Sequence, residues 1–127
     1  MAKRKLRLSI RLPPYRTPRN SWRREIHDLL SAEATRLSIS YVASDKLQLK
    51  IILYLPESAL SSHDVDNRLK DIMDALQGRA GGSKKVRSLC PIIPNDKQVY
   101  RVTIEKDLSP PQSKGLGHLI ISKYGNI

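Results

Sequence analysis

Four carboxylates lie close together in the middle of the chain, at Asp64, Asp66, Asp71 and Asp74. The chain carries 23 Lys and Arg against only 12 Asp and Glu, so a third of its acids fall within eleven residues. A basic protein attracts phosphates, whereas a carboxylate cluster repels them unless a divalent cation lies between. This combination is typical of a metal-dependent enzyme that acts on nucleic acid.

The spacing of the first two aspartates limits how they act together. Asp64 and Asp66 point to the same side only in extended chain, so a shared metal predicts a helix that begins at or just after Asp66. Lys70 follows Asp66 by one helical turn, where it either stabilises charge on a reacting phosphate or forms a surface ion pair. Asp96, in a turn between two predicted strands, is the best candidate for a third ligand.

Structural explanations compete for the same residues. Asp64 or Asp66 is also suited to cap the helix, and Asp71 and Asp74 have the spacing of solvated helix positions. Asp96 stands in a Pro-Asn-Asp-Lys sequence, which is ordinary turn chemistry. Spacing alone therefore leaves both interpretations open.

Composition narrows the class of protein. The net charge of +11 favours nucleic acid as partner, with an anionic membrane surface as the alternative. Cys90 is the only cysteine, which excludes an intrachain disulfide and a thiolate zinc cage and predicts a cytoplasmic location. No apolar run reaches the length of a membrane span, and no signal peptide is expected, although the Arg-rich start has some likeness to a transit peptide. Cys90 itself is predicted to be a buried apolar residue.

Hydrophobic periodicity predicts the elements that position these residues. We expect one domain over residues 1–127, of the α+β class: a two-layer sandwich with a mixed sheet and two main helices on one face. The predicted strands are 5–12, 46–55, 89–93, 98–106 and 116–122, and the predicted helices are 19–37 and 66–77. Residues 79–83 are predicted to be a flexible turn. The basic segment 78–94 around it is either a loop that contacts nucleic acid or a hairpin.

Positive side chains flank these elements. Nine of them precede the first acid, Glu25, which favours contact with phosphates over a merely solvated surface. The candidates for contact with the backbone phosphates of a nucleic acid are Arg16, Arg19, Arg23, Lys84, Lys85 and Arg87.

Two segments resemble the RusA-type Holliday junction resolvases. Residues 64–70 (Asp-Val-Asp-Asn-Arg-Leu-Lys), followed by Asp-Ala-Leu at 74–76, are similar to the family's D-x-D-N-x-x-K…D-A-L signature. Residues 95–99 (Asn-Asp-Lys-Gln-Val) resemble its downstream D-D-x-Q-V turn. The motifs cover about twenty residues, and the order of elements agrees along most of the chain.

The resemblance implies a homodimeric endonuclease that resolves four-way DNA junctions by paired nicks and leaves 5′-phosphate and 3′-hydroxyl ends. It implies Mg²⁺ as cofactor, with Mn²⁺ able to substitute. Asp64, Asp66 and Asp96 match the essential metal-binding carboxylates, and Lys70 matches the catalytic lysine. Asn95 departs from the family pattern, in which this position is often a second acid.

Another class of protein remains open at this point. A non-catalytic nucleic-acid-binding protein, either of ribosomal type or an inactive junction binder, would share the charge of this chain. Such a protein has no evident need for three acids on a surface that meets phosphate.

Overall fold

A four-stranded sheet and two long helices carry the candidate residues. The computed structural model describes residues 6–80 and 87–125. The strands are β1 (Leu8–Leu12), β2 (Leu47–Leu55), β3 (Arg79–Ala80), β4 (Arg87–Ser88), β5 (Val99–Leu108) and β6 (Gly117–Lys123). The helices are α1 (Arg19–Leu37), α2 (Glu57–Leu60) and α3 (Val65–Leu76), with short 3₁₀ turns at Asp96–Gln98 and Pro111–Ser113.

The sheet is mixed, and its strand order is β1-β6-β2-β5. β6 runs antiparallel to both β1 and β2, whereas β2 and β5 are parallel. α1 and α3 pack against each other and against the sheet. The predicted α+β class, with a mixed sheet and helices layered on it, is confirmed.

Alternation along β2 explains why one face of the sheet is covered. Its five buried side chains alternate with partly exposed ones. In register with them, Val102, Ile104 and Lys106 of β5 lie beside Leu49, Ile51 and Leu53, on the same face. The buried β2 residues are Leu47, Leu49, Ile51, Leu53 and Leu55.

α1 begins and ends where its periodicity predicts. Trp22, Ile26 and Leu30 face the core and are fully buried. The helix ends at Ser38, whose φ of 55° places it in the left-handed region. Trp22 donates its indole N–H to the carbonyl oxygen of Pro13 at 2.9 Å, which ties α1 to the loop after β1.

Some sequence predictions are wrong in detail. α2 was not predicted, and residues 89–93 form no strand. Instead, the N–H groups of Ile92 and Ile93 donate to the carbonyl oxygen of Leu76 at the end of α3, and that of Leu89 donates to Gly78 just beyond it. This path leaves Cys90 exposed rather than buried. β3 and β4 form a short hairpin where a turn was predicted from Arg79, and the tip between them lies outside the described residues.

None of the helices in the described ranges is both long and apolar enough to span a membrane.

β5 is the edge strand of the sheet on one side, and β1 is the edge strand on the other. Because β5 is parallel to β2, its first residues lie beside the start of β2, and its last residues lie beside the end of β2.

Candidate active site at the start of α3

Asp64 caps α3. Its backbone is extended, with φ −99° and ψ 117°, and its Oδ1 accepts the N–H of Asp66 at 2.9 Å. The helix begins at Val65, so Asp66 is already helical, and only Asp64 has the extended backbone that a metal shared by the two side chains was expected to require. Both carboxylates are nevertheless exposed at the same helix N-terminus. The partial positive charge of the helix N-terminus attracts negative groups to this end of α3.

Lys106 holds the residue before the cap. Its ammonium donates to the carbonyl oxygen of His63 at 2.9 Å, which fixes the start of α3 beside the last third of β5. The pKa of His63 is lowered by burial and by the nearby positive charges of Arg68 and Lys106. The sequence did not single out Lys106, although it follows Val102 and Ile104 in the alternation that marks the inner face.

An aromatic and cationic stack lies under this end of α3. The Arg68 guanidinium carbon lies 3.5 Å from the centre of the Tyr15 ring and 5.9 Å from that of Trp22. The Tyr15 ring is edge-on to Trp22 at 5.1 Å and to His63 at 5.6 Å. Cation–π contacts of a desolvated arginine are among the stronger ones. This stack joins the loop after β1 to α3.

Asp71 was predicted to be solvated and is instead fully buried. Its Oδ1 accepts from Arg19 Nε at 2.9 Å and from Arg23 Nε at 3.0 Å. Arg68 Nη2 approaches the other carboxylate oxygen at 3.4 Å. Three guanidinium groups surround one carboxylate, so Asp71 is committed to the interior of the protein.

Asp74 belongs to the same network. Its Oδ2 lies 3.1 Å from Nη2 of Arg23, and the Asp74 side chain is only 19% exposed. The prediction that Asp74 is a solvated helix position is therefore wrong as well. The four-acid cluster of the sequence divides into two exposed acids at the start of α3 and two inward ones further along it.

The same network changes the set of DNA-binding candidates. The side chain of Arg23 is 10% exposed and pairs with Asp71 and Asp74, which leaves it unsuited to contact phosphate. The Arg19 side chain is 42% exposed, although its Nε pairs with Asp71. Arg16 is 55% exposed and pairs with Glu25 at 3.2 Å.

The remaining basic candidates are not tested by the structure. Lys84 and Lys85 lie outside the described residues, and Arg87 is described only as backbone in β4. Their proposed contact with DNA stays a prediction.

Lys70 is exposed on α3, one turn after Asp66.

Asp96 lies in a well-anchored turn. The Asn95 side chain accepts the N–H of Lys97 at 2.9 Å, and the Gln98 side chain accepts the N–H of Asn95 at 2.9 Å. Gln98 also donates to the carbonyl oxygens of Val42 and Asp45, each at 2.9 Å, in the loop that leads into β2. Asp96 is exposed, at the beginning of β5.

Within one chain the three predicted ligands do not converge. Lys106 places His63 and Asp64 near the end of β5, whereas Asp96 precedes its first residue. Lys106 is seven residues along β5 from Val99, and at about 3.3 Å per residue the two positions lie roughly 23 Å apart. Among the described residues, no three or more His, Cys, Asp or Glu side chains are grouped so that they would hold a metal ion.

A single chain thus supplies two carboxylate donors at the start of α3 and a third at the far end of the parallel strand pair. The donor chemistry of Asp64 and Asp66 suits Mg²⁺, which prefers oxygen ligands. The set of three does not fit one cation within the monomer.

A scan against models of known protein families and a search of curated protein sequences both gave no match.

Proposed function

We propose that this chain is a Mg²⁺-dependent, structure-selective DNA endonuclease of the cytoplasm that acts as a homodimer on four-way junctions. Paired nicks hydrolyse phosphodiester bonds and leave 5′-phosphate and 3′-hydroxyl ends. One observation carries the proposal: Asp64 and Asp66 remain exposed at a helix N-terminus in a protein of net charge +11, while Asp71 and Asp74 are taken up by arginines.

Electrostatics supports this reading of the two exposed acids. Two carboxylates on a surface that attracts polyanions oppose the approach of a phosphate. A bound divalent cation reverses that sign locally, so the same residues then favour a phosphate. The resemblance of residues 64–70 and 95–99 to the RusA-type resolvases supports the junction as substrate.

Each residue of the proposed site has a separate role. Asp64 and Asp66 bind the cation, and the cap that Asp64 forms holds its carboxylate in place. Lys70 stabilises the negative charge that grows on the reacting phosphate. Arg16 and Arg19 contact backbone phosphates, which provides affinity and orientation rather than sequence preference.

A second candidate function is binding of nucleic acid without catalysis. The observation that favours it is that, among the described residues, Asp96 is not grouped with Asp64 and Asp66 so that the three would hold a metal ion. Under that reading Asp64 and Asp66 serve only the start of α3. The two functions differ in whether phosphodiester bonds are cut.

The test is a cleavage assay that compares a synthetic four-way junction with linear duplex, with and without Mg²⁺. We expect Mg²⁺-dependent nicks in the junction and little cutting of the duplex. Asp66→Asn should bind the junction as well as the wild type or more tightly, because a negative charge near phosphate is lost, and should not cut it.

Asp28→Asn is the matched control, since Asp28 is another exposed helical acid, paired with Arg24 at 3.0 Å on α1. This variant should cut like the wild type. Normal cutting by Asp66→Asn would contradict the role of Asp66. Tight junction binding by a wild-type protein that never cuts would favour the non-catalytic function.

A further inference from the structure

A groove runs along the outer edge of β1. It has a volume of about 600 Å³ and is lined by β1, β6 and the second half of α1. β1 pairs with β6 on one side, and no other described strand pairs with its outer side. A strand edge that is open in this way offers its N–H and C=O groups to another extended chain.

The wall of the groove on the helix side is largely apolar. Ile10 points to this side of the sheet, as does its register partner Leu119, which is buried in the core. The groove continues from Ile10 to Leu29 and Ala32 of α1. The side chain of Leu29 is 40% exposed. An exposed leucine beside an open strand edge suits contact with an apolar side chain of a partner.

The wall on the other face of the sheet is basic. Arg11 points to this face, beside His118 of β6. It donates to two backbone carbonyl oxygens, at 3.1 Å from its Nε and 2.7 Å from its Nη2, which holds the guanidinium at this edge without neutralising its charge. Arg7 follows the same alternation and also lines the groove. Neither β1 nor β6 contains an acid.

Glu33 is the only acid among the described residues that line the groove, and it is already paired. It accepts hydrogen bonds from Nε and Nη2 of Arg36 at 2.6 Å and 2.9 Å. Three arginines and one paired carboxylate leave the groove with a positive charge. The groove therefore favours a negatively charged occupant.

We infer that this groove binds an extended acidic segment of another protein, which adds a strand to the open edge of β1. The side chains of an added strand alternate between the two faces of the sheet. Apolar side chains of the segment pack against Ile10 and Leu29, and its carboxylates face Arg7 and Arg11. The recognised pattern is thus an alternation of acidic and apolar residues. This binding site goes beyond the proposed nuclease activity and does not depend on it.

Two other occupants fit the groove less well. A second copy of this chain has a net charge of +11 and would bring the same arginines against these. A nucleic acid matches the charge of the groove, but its phosphodiester backbone has no N–H groups to pair with the carbonyl oxygens of β1. The apolar wall and the strand edge therefore favour a polypeptide.

Synthetic peptides test the recognised pattern. The probe is an acetylated, amidated peptide of about seven residues, labelled with fluorescein, in which Asp or Glu alternates with Leu. The control peptide has the same composition, with the acids and the leucines in two separate blocks. In fluorescence anisotropy with the full chain, we expect the alternating peptide to bind about tenfold more tightly or better. Equal binding of the two peptides, or no binding at about 1 mM, would overturn the inference.

N-methylation of the probe tests strand pairing directly. In an extended chain the N–H groups of alternate residues point to opposite edges, so only one set can face β1. One peptide is methylated at the backbone nitrogen of every leucine, and another at that of every acidic residue. We expect one of the two to lose binding and the other to retain it. Equal binding by both methylated peptides would show that no strand is added.

Variants of the protein locate the site. Arg7→Glu and Leu29→Asp should each weaken binding of the alternating peptide by about tenfold, and both residues are exposed, so the variants should fold. Lys97→Glu and Val42→Asp make the same kinds of change at exposed residues outside the groove and should bind the peptide like the wild type.

The comparison with these controls has two outcomes that would contradict the inference. Equal weakening by Arg7→Glu and Lys97→Glu would reduce the binding to a general effect of charge. If Arg7→Glu and Leu29→Asp weakened binding of a single-stranded oligonucleotide and left binding of the peptide unchanged, the groove would be a nucleic-acid surface instead.

Discussion

The two halves of α3 treat the same residue type in opposite ways. Asp64 and Asp66 at its start are exposed, and Asp64 accepts a hydrogen bond from the helix backbone. Asp71 is fully buried, and Asp74 is mostly covered and shares Arg23 with it. The difference lies in what faces each turn: α1 with its arginines faces the later turns, and none of these arginines pairs with the first.

The comparison separates acids that maintain the fold from acids that are free to act on a ligand. A buried carboxylate surrounded by arginines is costly to disturb, because each charge left behind loses its partner in a medium that solvates it poorly. An exposed carboxylate can be substituted with little loss in the free energy of unfolding. The stability of variants should therefore distinguish the two halves of α3, independently of any activity.

Asp71→Ala should have the largest effect on stability of the substitutions in α3. The change removes the buried acceptor that Arg19, Arg23 and Arg68 share, and it leaves buried Arg23 with Asp74 as its only acid partner. We therefore expect a loss of about 3–5 kcal/mol in the free energy of unfolding. Urea denaturation measures it. Asp28→Ala, which removes an exposed pair with Arg24, should cost about 0.5 kcal/mol or less. Equal losses in the two variants would contradict the structural role of Asp71.

Lys70→Ala should affect activity but not stability, in contrast to a substitution of the buried Asp71. Lys70 is exposed, so the free energy of unfolding should change by less than about 0.5 kcal/mol. Removing a charge that stabilises the transition state should slow junction cutting by about 100-fold or more. Single-turnover rates measure this effect. Lys97→Ala, an exposed lysine in the Asp96 turn, is a control that should cut normally, and a similar loss there would indicate a general charge effect.

Two substitutions at Asp64 separate its cap from its proposed ligand role. Asp64→Ala removes the acceptor for the Asp66 N–H and should cost about 1 kcal/mol of stability, whereas Asp64→Ser retains a capping oxygen and should cost a few tenths. Both should abolish cutting, because neither supplies a carboxylate. Full activity in Asp64→Ser would reduce Asp64 to a helix cap.

His63 provides the smallest expected effect, through pH. Its pKa lies below the ordinary 6.5 in the folded protein because of burial and the nearby Arg68 and Lys106. The unfolded chain therefore takes up this proton first as pH falls, and stability declines below about pH 6.5. His63→Gln should flatten part of that decline while matching the wild type at pH 8. Parallel curves for the two proteins would exclude a contribution from His63.

The periodic elements were predictable from the chain, because alternation and helical spacing are local signals. α1 is predicted at Arg19–Leu37 as observed, and α3 is predicted within one residue at each end. The burial of Asp71 was not predictable in the same way. Its acceptor role depends on arginines about fifty residues earlier, which meet it only because α1 and α3 pack together.

The arrangement of the candidate site could not be predicted without knowing the order of the strands in the sheet. The motifs around Asp64 and Asp96 were visible in the sequence, but their separation follows from the parallel pairing of β2 with β5. No local pattern specifies which strands become neighbours. The exposure of Cys90 was not predicted for a related reason. Residues 89–93 form backbone hydrogen bonds with the C-terminal end of α3 rather than with a strand.

Trp22 is the single tryptophan of the chain, and it lies fully buried against Tyr15 with the Arg68 guanidinium nearby. Its indole emission therefore comes from one place, directly beneath the helix that carries Asp64 and Asp66. Loss of structure exposes this fluorophore to water and shifts its spectrum to longer wavelength. The molecule thus carries an intrinsic optical probe that follows folding, and movement of Arg68, without any attached dye.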